Sequence, residues 1–166
     1  AAIIAESVYL GNFEKKSRTE RFTRILREKE QVTEKCLDDL KSILAAGEQH
    51  GYEKESNIFK TARENGIAIL EYFDNRLIHW SDNSFDVPEE YGDTIFKKKL
   101  IFLQNGWFIP RELSAGNEKI IGLLRLNTEY GFENDIVRNE FMPDFRLPLG
   151  TRLKIENSGE GFDISD

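Results

Sequence analysis

Between Ser17 and Ala46, apolar residues recur at Phe22, Ile25, Leu26, Val32, Cys36, Leu37, Leu40, Ile43 and Leu44, three and four residues apart with polar positions between them. That spacing draws one stripe along a helix. No proline or glycine interrupts it before Gly47, a natural stop. Ser17-Arg18-Thr19-Glu20 has the form of a capping box and sets the expected helix start. A helix from Arg18 to Ala46 extends roughly 40 Å at ~1.5 Å per residue. The stripe thins where Lys29 interrupts it and charges crowd Glu14 to Arg24. The C-terminal half is therefore expected to pack on the domain and the N-terminal half to project. A second helix is expected from Glu53 to Asn65, with Ile58, Phe59 and Ala62 inward and Gly66 as its end.

At Gly66 the period changes from helical to extended. Ile67 to Phe73 is rich in strand formers, Asp74-Asn75 suits a tight turn, and Leu77 to Trp80 returns as a second strand. Asp82 to Lys98 is polar, with Pro88 placed to start a short helix through Glu89, Glu90 and Tyr91. Leu100 to Leu103, Trp107 to Leu113 and Lys119 to Asn127 are the next strands, turned at Asn105-Gly106 and Ala115-Gly116-Asn117. The last section is less regular. A short helix is expected from Phe132 to Phe141 with Ile136, Val137 and Phe141 on one side, then a loop between Pro143 and Pro148. Thr151 to Glu156 reads as one more strand, before a flexible Ser158-Gly159-Glu160-Gly161 and a weakly structured end.

The fold class that satisfies this order is α+β, with a long N-terminal helix packed on a five-stranded antiparallel sheet. Two strands, a helical crossover and three more strands is the connectivity of PAS-like and Cache-like sensor sheets, an analogy of fold. The expected organisation is a membrane-proximal long helix over residues 1–50 and a sensor domain over 51–166, cut short at its C-terminus.

Composition narrows the partners. The chain has 166 residues, 39% hydrophobic and 32% charged, enough for one packed domain. The net charge of -7 argues against nucleic acid and anionic membrane surfaces, and Lys97-Lys98-Lys99 reads as a solvated strand edge. Cys36 is the single cysteine, so no intrachain disulfide forms. No stretch approaches ~20 apolar residues. The start, Ala1-Ala2-Ile3-Ile4-Ala5, lacks methionine and the form of a signal peptide, so a fragment of a longer protein is expected.

Catalytic patterns are sparse. His50 and His79 form no paired-histidine metal motif, and both read as structural or surface histidines. No Gly-x-Ser-x-Gly elbow, Walker loop or dinucleotide fingerprint is present. No catalytic residue, metal site or cofactor is assigned, and the chain is not expected to be an enzyme. The strand aromatics Tyr72, Trp80 and Trp107 are candidate ligand-binding walls, since aromatics with a polar tip suit pockets, although each also suits a plain core. Arg111 and Arg125 are candidate anchors for a carboxylate ligand if they face that pocket rather than solvent. The pocket itself is expected between the sheet and the segment from Ser81 to Lys99, the one long connection within the sheet.

Two stretches carry a family resemblance. Ile69 through Asn83, ending Leu77-Ile78-His79-Trp80-Ser81-Asp82-Asn83, resembles the apolar strand, turn and Leu-x-x-Trp-Ser-x-Asn segment of Bacteroidetes two-component sensor histidine kinases. Asn105-Gly106-Trp107, then Ile121 to Leu126, Tyr130, Asn134, Asn139-Glu140-Phe141 and Leu147-Pro148, is similar to a second run in the same periplasmic regions. The chain departs from the pattern at Phe108, where tyrosine is expected, and at Arg125, where an aliphatic or lysine-type residue is expected. The resemblance spans Gly66 to Pro148. It implies a periplasmic ligand-sensing domain of an inner-membrane histidine kinase, with a small-molecule or protein ligand and signal transmission through the long helix. A homodimer through that helix fits its incompletely buried stripe. The alternative is a cytoplasmic PAS-like protein-interaction module.

Overall fold

Gly66 divides the chain into its helical and extended parts, and its φ of +70° shows why a glycine stands there. The computed structural model describes residues 4–6, 12–46, 52–131, 139–155 and 162–165. In chain order the elements are β1 (Ile4–Glu6), α1 (Asn12–Ala46), α2 (Tyr52–Glu64), β2 (Ile67–Phe73), β3 (Arg76–Trp80) and α3 (Asp93–Phe96). There follow β4 (Ile101–Leu103), β5 (Gly106–Ala115), β6 (Glu118–Thr128), β7 (Glu140–Phe141), β8 (Arg152–Ile155) and β9 (Phe162–Ser165). They belong to two compact units, Lys29–Leu126 on one side and Ala1–Glu28 with Asn127–Asp166 on the other.

The Lys29–Leu126 unit is α+β, a long helix with a five-stranded antiparallel sheet as the sequence predicts, and the sheet curls into a half-barrel. The strand order is β3-β2-β6-β5-β4. The last strand thus returns to the centre beside the first, which two strands, a crossover and a three-strand meander require. Asp74 and Asn75 take positive φ of 47° and 64° and close the β2–β3 hairpin as expected. The β4–β5 turn falls one residue earlier than Asn105-Gly106: Leu103 pairs with Gly106, and Gln104 takes the positive φ of 48°. The Asn105 N–H donates back to the Leu103 carbonyl at 2.6 Å, so a tight three-residue turn replaces the Asn-Gly geometry.

Both faces of the sheet are covered, which is why Ile67 to Leu70 runs apolar without alternation. One face, with Ala68, Leu70, Tyr72, Phe108, Ile121 and Leu123, packs against Phe85 and Phe96 from the long connection. Ile67, Ile69, Ile120 and Leu124 are buried on the other face, where Gly122 meets Thr33 and Leu37 of α1. Cys36, Leu37 and Leu40 carry the buried stripe of α1 here. Lys29 does not break that stripe. It is buried, and its Nζ donates to the Asn65 carbonyl at 2.9 Å, one of the acceptors left open at the end of α2.

Several expectations need correction. The helix begins at Asn12, so Ser17 and Glu20 lie inside α1 and form no capping box. Pro88 starts no helix: Glu90 bridges to Arg76, and the short helix α3 comes later. Two backbone bonds stand in place of helical ones: Leu77 N–H donates to the Glu89 carbonyl and Tyr91 N–H to the Asn75 carbonyl.

In the other unit, the N-terminal part of α1 is not a bare projection. Phe22 is fully buried, with ring centroids 4.7 Å from Phe145 and 6.2 Å from Phe141. Phe141 is in a strand rather than a helix, because β7 pairs with the end of β6 at Asn127 and Thr128. The rest of that expected helix, with Ile136 and Val137, lies outside the described residues, as do His50 and residues 158–161. Pro143–Phe145 forms a 3-10 turn, and β8 stands where a strand was expected. β9 replaces the weakly structured end. It pairs antiparallel with β8 and parallel with β1, a union of distant segments.

Candidate functional site

The five candidate side chains fall on opposite faces of the sheet. The register pairs Leu70 with Trp80 and Tyr72 with Leu77, which places Tyr72 and Trp80 on the face under the long connection. Arg125 reaches the same connection: its guanidinium lies 5.2 Å from the Phe85 ring and 5.1 Å from the Phe108 ring, and donates to Ser84 Oγ at 3.1 Å. Ile101 pairs with Phe108 on that face, so Phe102 and Trp107, 5.1 Å apart, point to the other. Arg111 goes with Trp107. It is ion-paired with Glu30, with Glu34 at 3.9 Å, both on α1.

These positions change the roles expected of them. Arg111 is committed to α1 and is not an anchor under the connection. Arg125 lies beside the Phe85–Phe108 ring pair, whose centroids are 4.6 Å apart, with its Nε buried and unpartnered, so it helps to hold the connection down. Tyr72 is buried, its hydroxyl donating to the Pro88 carbonyl at 2.8 Å, and burial pushes its phenol up to about 12. Its ring meets Tyr91 at 5.7 Å and Phe96 at 6.0 Å. The centre of the expected pocket is therefore packed core. Of the five, Trp80 lines open space beside the connection.

That space is a cleft of about 780 Å³ between β3 and residues 83–90. Leu77, Trp80, Phe85 and Val87 give it apolar surface, while Arg76, Asn83, Asp86, Glu89 and Glu90 give it polar groups. Its walls are fixed by backbone bonds. Leu77 N–H donates to the Glu89 carbonyl at 2.9 Å and Tyr91 N–H to the Asn75 carbonyl at 2.8 Å, holding one wall to the β3 edge. Ser81 ends β3 firmly, since its N–H donates to the Ile69 carbonyl and its Oγ accepts from Ile69 N–H. Asp82 accepts from Ser84 N–H, and Gln104 Oε1 accepts from Asp86 N–H, fixing the other wall. A bulge opposite Glu71 and Tyr72 leaves Ile78 59% exposed.

On the other side of β3 a second groove runs against α2, lined by Glu55, Phe59, Lys60, Arg63, His79 and Trp80. His79 is exposed, and its ring lies 4.9 Å from that of Phe59. Nearby, Glu71 is paired across the strands with His79 and Ile120. Burial, then the charges of Glu55 and Glu118, push its carboxyl up to about 7. Neither Glu71 nor the wall at 83–90 stands out in the sequence. An acid at the third inward position after Ile67 and Ile69 was the one available signal for Glu71.

Comparison with protein families, curated proteins and solved structures finds no match. Among the described residues, no helix is long and apolar enough to cross a membrane, and no three acid, histidine or cysteine side chains converge to hold a metal. The cleft offers an exposed indole, aliphatic surface, an amide, a guanidinium and carboxylates. These are binding groups, and its lining contains no nucleophile paired with a base.

Proposed function

We propose that this chain is the extracytoplasmic ligand-sensing domain of a membrane-bound sensor histidine kinase, with its ligand in the cleft between β3 and residues 83–90. The observation that carries the reading is the cleft itself. It is concave, partly apolar, within the usual size of small-molecule sites, and built by the one long connection of a PAS-like sheet. The long α1 is the natural output element, because it packs on the sheet through Thr33 and Leu37. A ligand transmits a signal only if it binds two arrangements of that contact unequally. A thermal-shift screen of small metabolites is the test, with Trp80→Ala as control. A ligand that raises Tm for the parent chain and not for Trp80→Ala is expected. A screen without hits, or hits indifferent to Trp80, counts against the reading.

Pairing of two copies along α1 belongs to the same proposal. The stripe leaves Val32 and Ile43 half-buried and Leu44 exposed, so the association is weak. Sedimentation across a concentration series measures it, and a strict monomer removes it.

One observation favours the alternative, a cytoplasmic PAS-like interaction module. Phe73, Ile78 and Trp80 are each exposed large apolar side chains of one hairpin, the kind of residue a protein partner covers. Reporter fusions to the full-length parent separate the two: alkaline phosphatase is active on an extracytoplasmic domain, and green fluorescent protein folds on a cytoplasmic one.

A further inference from the structure

The sequence reading supplied arginines to meet a carboxylate ligand, and the cleft has the opposite sign. Arg111 is paired with Glu30 on the other face of the sheet, and Arg125 rests against the Phe85–Phe108 ring pair without lining the cleft. The charged groups that do line it are Asp86, Glu89 and Glu90 against Arg76. All four are exposed, and none of their side chains is drawn into a salt bridge among the described residues, so the charge they bring to the cleft's rim is not cancelled by a direct ion pair.

We infer that the cleft takes an organic cation: an amine whose charged end is met by the carboxylates of the rim and whose hydrocarbon body lies on Trp80 and Leu77. The inference rests on the ligand-sensing reading and deepens it. The cleft and the exposed indole define the site, and the rim decides only the sign of what enters. Trp80 contributes in two ways, as apolar surface and as the negative face of an indole ring, which attracts a cation lying over it. An anionic ligand of the same size would meet a net negative rim with one guanidinium to offset it, and a neutral one would gain nothing from the rim. A bare metal ion is disfavoured because the three carboxylates do not converge to coordinate one. An amine needs no such convergence, since its charge is satisfied at longer range and by water-bridged contacts.

The test uses four-carbon probes that differ in charge: putrescine, 1,4-butanediol and succinate, with tetramethylammonium as a compact cation. The chain has two tryptophans, so Trp107→Phe leaves Trp80 as the one indole reporter. Saturable quenching of Trp80 by putrescine is expected, at least about tenfold tighter than by butanediol, with no response to succinate. The variant Asp86→Asn/Glu89→Gln/Glu90→Gln should lose about tenfold for putrescine and nothing for butanediol. If it fails to fold, salt gives the same information on the parent chain, because screening weakens a charge-driven complex and spares an apolar one. Equal binding of putrescine and butanediol, or preference for succinate, overturns the cation and leaves the sensing reading intact. No response to either cation at about 10 mM also overturns it, whereas hits from the metabolite screen that depend on Trp80 would still uphold the site.

Discussion

Gly122 of β6 and Thr33 of α1 meet with no room for a methyl group: a Cβ on Gly122 would stand 2.5 Å from Thr33 Cγ2 and 3.5 Å from both Leu37 Cδ atoms. The helix approaches the central strand closely there because the residue is glycine. Thr33 is itself fully buried, its hydroxyl donating to the Lys29 carbonyl at 2.8 Å, so it cannot turn aside cheaply. Gly122→Ala should cost about 1–3 kcal/mol of stability in urea unfolding, the usual range for overpacking. Thr33→Ser removes the opposing methyl and keeps the hydroxyl, so Gly122→Ala/Thr33→Ser should recover most of that loss. A neutral Gly122→Ala would show that the helix lies further from the sheet.

Lys29 and Asn65 give a second test of the same interface. The Nζ of this buried lysine satisfies the carbonyl that ends α2, beside the left-handed Gly66. Lys29→Met keeps the apolar stem and deletes the donor. A loss of about 1–3 kcal/mol is expected for leaving that carbonyl without its partner. Hydrogen exchange should quicken at the last turn of α2 before it does in the strands. Unchanged exchange there would mean that water replaces the ammonium at no cost.

Glu71 makes stability depend on pH. Burial first, then the charges of Glu55 and Glu118, raise its carboxyl from the ordinary 4.5 to about 7. Between those values the folded chain holds the proton and the unfolded chain releases it, so stability falls as pH rises. The contribution is complete below the unfolded value and lost as pH passes the folded one. Glu71→Gln should therefore stabilise the chain at about pH 8 and change little at about pH 4. The gain is capped at about 3.5 kcal/mol, since one unit is worth about 1.4 kcal/mol. Parallel stability curves for the two proteins would remove Glu71 as the cause.

How much of this was legible in the sequence depends on the range of the contacts involved. The Gly66 boundary and the Asp74-Asn75 turn are set by neighbours in the chain, and the structure has them as read, whereas the helix stripe gains Lys29 and Thr33 and leaves Leu44 exposed. Gln104 shows the limit: the meander register made it take the left-handed position although Asn105-Gly106 follows it. Parity along β5 told that Trp107 and Arg111 share a face, but not which face, because that depends on Ile101 pairing with Phe108. In β3 parity fails outright, since the bulge at Ile78 puts Leu77 and Trp80 on one face though they are three residues apart. The cleft was hidden for the same reason. Its outer wall is held by backbone bonds from Glu89 and Tyr91 to β3, and such bonds leave no side-chain signature.

Arg125 separates a strut from a ligand anchor. Its guanidinium stacks on Phe85 and Phe108, donates to Ser84, and keeps a buried Nε with no partner. The stacking holds the connection to the sheet, whereas the unpartnered donor is a cost that an apolar side chain would not carry. Arg125→Ala should therefore lose about 1–3 kcal/mol through the removed contacts and expose residues 82–92 to faster proteolysis. Arg125→Leu keeps contact with both rings and deletes the unsatisfied group, so it should stay within about 1 kcal/mol of the parent. Binding distinguishes the roles. As a strut, Arg125→Leu leaves ligand affinity near that of the parent while Arg125→Ala weakens cationic and neutral probes alike by loosening Phe85. If both substitutions abolish binding of one anionic ligand and leave stability equal, Arg125 is the anchor, and the cleft extends behind Phe85 to reach it.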